Sequence, residues 1–433
     1  MSRIPDICGR LLGSTFALSV LFGCSSTPSP PNFDAGVGSA GAASGGSAGD
    51  TGGGGASGGS AGATGNSGGS SGAGGGTAGA GGSGAAGVFD GPFALGVDIS
   101  SVPEAIDGGA TFADTDGTAK GLLEILGAHG FNYVRLRAFV EPWALYGYAN
   151  PTGDAVRRKP KPYCDTDQTA AFAQEVKAAG MGFLLNLHYS DNWADPGKQV
   201  IPEAWRDAAS IADMAGRVRD YTEATVQTMV DAGARPDMVQ VGNEITPGML
   251  IHVPSEAPDP DPWGNIDKVE NTVSGSIDNW DNLATLLKAG IEGVKSVDPS
   301  IRIMLHVENT KHVEGVEAWV QQARSRGVEF DVLGLSCYTT FQGEPSTWRA
   351  TFMTLAATFP ELSFAIAEYN PERTEANEIM HDLPDGRGLG TFFWEPTQSG
   401  VWGSAMFTWT DGVFRANTED FAEFATIRQS VGL

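Results

Sequence analysis

The stretch Val239-Gln240-Val241-Gly242-Asn243-Glu244-Ile245 runs alternating apolar residues straight into a carboxylate. Val239, Val241 and Ile245 read as a buried strand and its exit. A charge is costly at the end of such a strand unless something there needs it. The question is whether other strands end the same way.

Seven other segments also run into a polar side chain, though not always a carboxylate. Strand-like runs cover residues 94–100, 132–139, 182–189, 237–244, 301–308, 331–338, 362–369 and 390–396. Most are near-continuous apolar runs, as expected of parallel strands covered on both faces. Between them lie helical patterns of 3.6-residue period, among them residues 118–130, 168–180, 210–233, 282–299 and 313–327. Several close on glycine (Gly130, Gly180, Gly233, Gly327), which suits a left-handed helix end before the next strand. Eight such alternations predict an α/β fold, a (β/α)8 TIM barrel. A doubly wound open sheet is the structural rival. Its Gly-rich first turn is missing from Gly96-Val97-Asp98-Ile99-Ser100.

The C-terminal ends of the eight strands carry Asp98, Arg135 and Arg137, His188, Asn243 and Glu244, His306, Tyr338, Glu368, and Trp394 with Glu395. A barrel builds its active site at that face. Any one of these residues could be a satisfied rim group, but polar side chains at every strand end point to a site. Glu244 and Glu368 end strands on opposite sides of the expected mouth. Two facing carboxyls suit glycoside hydrolysis, in which one protonates the departing oxygen and the other attacks the anomeric carbon. A separation of about 5–5.5 Å predicts retention of configuration. After the third strand, Trp193 suits the apolar face of a pyranose, while Asp191, Asn192 and Asp195 offer acceptors to its hydroxyls. Trp143 and Trp394 are further candidate platforms, with plain packing as the competing reading.

Composition bounds the rest. The chain has 433 residues, a formal net charge of -25, 60 glycines and four cysteines. The acidic balance disfavours nucleic acid and polyanionic substrates, leaving a neutral ligand. Residues 1–24 read as a signal peptide, with Arg3 and Arg10 flanking an apolar run too short to span a bilayer. Its end, Leu21-Phe22-Gly23-Cys24, resembles a bacterial lipobox, which would make Cys24 the lipidated residue. An ordinary signal with a chance cysteine is the alternative. Residues 25–87 are almost wholly Gly, Ala, Ser and Thr, which predicts a disordered, flexible linker rather than collagen. About 60 such residues span roughly 40–48 Å, enough to tether an enzyme at a membrane. Residues 88–433 form the expected single domain. Cys164 and Cys337 are too few for a disulfide framework, and no spacing suggests zinc.

The motifs Gly96-Val97-Asp98-Ile99-Ser100, Val134-Arg135-Leu136-Arg137-Ala138-Phe139, His188 to Trp205 (HYSDNWADPGKQVIPEAW), Val239 to Ile245, Leu333 to Tyr338 and Phe392 to Pro396 resemble those of the family 53 endo-β-1,4-galactanases. The match runs in order over nearly the whole folded part. The resemblance implies a retaining barrel hydrolase with Glu244 as acid/base and Glu368 as nucleophile. It also implies Asn243 on the sugar 2-hydroxyl, Tyr338 holding the nucleophile, and Arg135 or Arg137 keeping Glu368 ionised. The implied substrate is the neutral galactan of plant cell walls, cut without a cofactor; a monomer that meets a membrane only through the lipid anchor at Cys24 is the default expectation. Ser25 after Cys24 fits sorting to the outer membrane or cell surface. Some family members bind a structural calcium, but Asp114-Thr115-Asp116-Gly117 is too fragmentary to be its loop.

Three positions depart from the family pattern: Tyr369 after Glu368, Cys337-Tyr338-Thr339 after the sixth strand, and Ile251-His252 where Trp-Pro is expected. They keep open a related hydrolase acting on mannan, xylan or a differently linked galactan. A non-catalytic glycan-binding surface lipoprotein is a third reading.

Overall fold

The structure is a computed structural model that describes residues 92–433 apart from 152, 154–156, 256–265 and 271. The signal peptide and linker expected over 1–87 lie outside the described residues. Eight parallel strands close into a barrel: β1 (Ala94–Asp98), β2 (Tyr133–Ala138), β3 (Gly182–Leu187), β4 (Met238–Val241), β5 (Arg302–Val307), β6 (Val332–Cys337), β7 (Ser363–Tyr369) and β8 (Gly388–Trp394). Each pairs with its neighbour in sequence, and β8 pairs back onto β1. Eight helices alternate with them: α1 (Leu122–Ala128), α2 (Thr166–Ala178), α3 (Ile211–Asp231), α4 (Trp280–Val297), α5 (Val313–Ser325), α6 (Pro345–Thr358), α7 (Arg373–His381) and α8 (Thr418–Ser430). The expected TIM barrel is the observed one.

The apolar runs exist because both strand faces are buried. Tyr133, Leu184, Met238, Met304, Val332 and Phe392 fill the barrel interior. Their neighbours Val134, Leu185, Val239, Ile303, Leu333 and Phe393 face the helical layer. Helix starts are fixed by side chains: Asp165, Ser210 and Asn279 accept from backbone amides three residues on, worth about 1 kcal/mol each. Gly130, Gly180, Gly233 and Gly327 all take positive φ where their helices end, a conformation strained for other residues.

Several small elements carry no sequence signal, being too short to show a period. A three-stranded sheet joins Phe407–Thr410, Val413–Ala416 and Thr111–Ala113. The long loop after β4 folds back on itself through His252–Pro254 paired with Ile266–Lys268, and Gly248–Met249 paired with Gly275–Ser276. Cys164 and Cys337 are both buried and free.

Candidate active site

β7 does not follow a simple alternation. Leu335 pairs with Ile366, but the next residue of β6, Ser336, pairs with Glu368, so Ala367 is an extra residue in β7. Ala365 and Ala367 already face the barrel interior. The bulge re-aims the following side chain, so that Glu368 also enters the mouth.

Glu368 is buried, and its carboxylate is held from two sides. Oε1 lies 2.8 Å from Arg135 Nη1, and Oε2 accepts from the Tyr338 hydroxyl at 3.0 Å. Arg135 is completely buried. Its Nη1 donates to Asp98 at 2.9 Å, its Nε to Gln240 at 3.1 Å and its Nη2 to Asn243 Oδ1 at 2.8 Å. Tyr338 stays protonated, since burial and the neighbouring carboxylates push its hydroxyl far up.

Glu244 follows β4 with φ at 48°, and part of its surface remains open to the mouth. Its Oε1 accepts from Ser336 Oγ at 2.7 Å, and Ser336 in turn sits 2.9 Å from His306 Nε2. Since the hydroxyl donates to Glu244, the imidazole donates to the hydroxyl, which puts its proton on Nε2. Ser336 and Tyr338 share one face of β6, so one strand serves both glutamates.

Both carboxyls are raised above the ordinary range by burial, Glu244 further than Glu368. Burial pushes Glu244 well above the usual carboxylate range; the charges of Glu368 and Glu308 add to this, and the Ser336 hydroxyl opposes it. Burial raises Glu368 too, with the Asp98 charge adding to it, but Arg135 and the Tyr338 hydroxyl limit the rise. A single proton shared between them therefore resides on Glu244.

The sequence profile described as glycosyl hydrolase family 53 matches residues 94–378. The chain belongs to glycosyl hydrolase family 53. An arabinogalactan endo-β-1,4-galactanase of Thermothelomyces thermophilus is 28% identical over 70% of this chain and 88% of its own length. An endo-β-1,4-galactanase of Bacillus subtilis (strain 168) is 26% identical over 70% of each chain. Among solved structures, the family 53 catalytic domain of Ignisphaera aggregans superposes with a TM-score of 0.61 at 28% identity, covering 78% of this chain and 98% of that one.

Within this family 53 chain, the two arginines divide their partners. Arg135 meets Glu368, while Arg137 pairs with Glu395 at 2.8 Å and stands 3.8 Å from Asp98. The Arg137 guanidinium lies 4.1 Å from the centre of the Trp193 ring. Trp193 and Trp394 meet edge to face at 5.9 Å and both keep some exposure, so they line the mouth together. His188 is buried against Trp193; its Nδ1 accepts from the Ala194 amide at 3.0 Å. Burial and both arginines hold it neutral. The same forces, burial and Arg135, keep His306 neutral.

Other expected sugar ligands are engaged elsewhere. Asp191 accepts from the amides of Glu141 and Glu203. Asn192 accepts from the Trp193 amide and donates to the Tyr146 carbonyl. Both brace loops, as buried polar groups must. Asp195 closes a small turn through Gly197 and pairs with Lys198 at 3.1 Å. Trp143 is stacked under Arg158 and bonded to the Lys159 carbonyl. The Asp114 carboxylate is taken by Lys120, His129 and the Thr115 amide. No group of His, Cys, Asp and Glu among the described residues could hold a metal ion.

Two of the departures from the family 53 pattern turn away from the mouth. Tyr369 and Cys337 face the helical layer, and the Tyr369 hydroxyl meets Asn377 at 3.2 Å. Ile251 is buried, its amide on the Gln199 carbonyl. Sequence reasoning missed Ser336, Gln240, Asn186 and Glu308, which touch or charge the central groups. The available signal was period-2 spacing: Ser336 and Asn186 lie two residues before Tyr338 and His188, inside apolar strands.

Proposed function

We propose that the protein is a retaining endo-β-1,4-galactanase acting on the neutral galactan side chains of pectin, with Glu368 as nucleophile and Glu244 as acid/base. The observation that carries this reading is the asymmetry of the pair. Glu368 is fixed against Arg135 and Tyr338, whereas Glu244 is raised further and is partly open. Glu368 attacks the anomeric carbon while Glu244 protonates the departing oxygen, breaking the glycosidic bond and leaving a galactosyl ester on Glu368. Glu244, now ionised, takes a proton from water, which attacks the same carbon and frees Glu368.

The relatives' names supply the substrate class. Tyr369 and Cys337 face the helical layer rather than the mouth, and the named relatives are galactanases, which favours galactan over mannan or xylan. Product analysis on linear β-1,4-galactan, with mannan, xylan and arabinan alongside, tests the reading. Short galacto-oligosaccharides from galactan alone, released first as the β-anomer, are expected. Cleavage of another polymer instead would overturn the specificity, and an α-anomer first product the mechanism.

The same reading includes export and tethering at Cys24, and action as a monomer. No helix among the described residues is long and apolar enough to cross a membrane. A Cys24→Ser protein is expected to lose lipid labelling and leave the membrane fraction. Sedimentation of the soluble domain tests the monomer.

A further inference from the structure

The backbone around Glu244 is unusual. Gly242, Glu244, Gly248 and Leu250 have φ of 82°, 48°, 115° and 57°. Two of these are L-residues in the left-handed region, which is strained for them and persists only where the surroundings over-determine it. What holds the segment comes from a different strand's loop.

Gln199, from the loop after β3, is 2% exposed and touches both ends of the segment. At one end its side-chain Nε2 donates to the Asn243 carbonyl at 2.8 Å and lies 3.4 Å from the Glu244 carbonyl. At the other, its own carbonyl accepts from the amides of Ile251 at 2.8 Å and His252 at 3.0 Å. Its amide donates to His252 Nδ1 at 3.0 Å. The Asp195 carbonyl, 3.2 Å from Nε2, is the third acceptor around that nitrogen. Three carbonyls around one nitrogen fix which way the amide points. Gln199 is itself well anchored: Asp195 and Lys198 exchange two backbone hydrogen bonds of 2.9 Å just before it.

We infer that Gln199 is a positioning residue for proton transfer, holding the Glu244 backbone in its left-handed conformation by clamping both ends of the loop that carries it. The inference rests on Glu244 being the acid/base. Gln199 touches no substrate in this role. It sets where the Glu244 carboxyl stands relative to the departing oxygen, and a displacement of about 1 Å in such a group costs on the order of a hundredfold in rate.

The test exploits leaving groups. Galactan departs as an alkoxide that needs protonation, whereas a dinitrophenolate departs unaided. The parent, Gln199→Leu and Glu244→Gln are compared for kcat/KM on linear galactan and on a dinitrophenyl β-galactotrioside, with pH profiles. Gln199→Leu is expected to lose roughly ten- to a hundredfold on galactan, the range of a weakened general acid, with KM close to the parent's. It is expected to cleave the activated glycoside at nearly the parent rate and to show a displaced basic limb. Equal loss on both substrates, or no loss on either, would overturn the inference. If Gln199→Leu does not fold, as read by its thermal melt, the uncharged Gln199→Met keeps the length of the side chain and the backbone contacts of residue 199 and is held to the same outcomes. Glu244→Gln is the control. If it lacks the leaving-group split while the parent cleaves galactan, the acid/base assignment fails, and that failure is separate from the one concerning Gln199.

Discussion

Arg135 and Glu368 meet at 2.8 Å inside the barrel mouth, and the same guanidinium nitrogen is 2.9 Å from Asp98. One buried cation thus serves two buried carboxylates. Arg135→Met would leave both without it, and a loss of about 3–5 kcal/mol is expected, the range for breaking a buried pair. Glu368 would also bind its proton more tightly, so the acid limb of kcat/KM moves to higher pH. Urea unfolding and a pH–rate profile check the two effects.

Tyr338→Phe removes the hydroxyl 3.0 Å from Glu368 Oε2 and little else. A hydrogen bond to a charged group is worth about 1.5–3 kcal/mol. A fall in kcat/KM of roughly ten- to a hundredfold is expected, with the acid limb again moving up. The melting temperature should change far less than for Arg135→Met, which a thermal scan would reveal.

Glu244→Gln should separate stability from activity. Galactan hydrolysis is expected to fall by about 10²–10⁴, the contribution of general acid–base catalysis. The stability effect has the opposite sign. A carboxyl raised on folding stabilises the native state most below its unfolded value of about 4.3, and that contribution is lost as pH rises through the higher folded value. The glutamine variant should therefore melt above the parent at neutral pH, with the gap closing as pH falls towards about 4. Melting curves at several pH values decide it.

Ser336 and Glu308 act on Glu244 in opposite directions, the hydroxyl lowering it and the charge raising it. Ser336→Ala should move the basic limb of kcat/KM to higher pH, and Glu308→Gln should move it lower. Two shifts of the same sign would contradict this account of the proton on Glu244.

Much of this was legible in the sequence. The eight alternations, the polar strand ends and the Glu244/Glu368 pair follow from local pattern, because a strand covered on both faces must be apolar until it reaches the mouth. The glycine helix ends are equally local. The loop bracing was not legible: Asp191 and Asn192 look like sugar ligands until the amides of Glu141, Glu203 and Trp193 are seen to occupy them.

The sequence by itself determined that this chain forms a (β/α)8 barrel with two glutamates at its mouth. Only the tertiary structure decided which arginine serves Glu368, since Arg135 and Arg137 lie two residues apart on one face of β2. The choice is made by Asp98 on β1 and Glu395 after β8, which arrive only when the barrel closes. Likewise the Ala367 bulge depends on the register of β7 against β6. The clamp by Gln199 joins positions 45 residues apart to Glu244. Such contacts depend on register and closure, and local propensity carries no information about either.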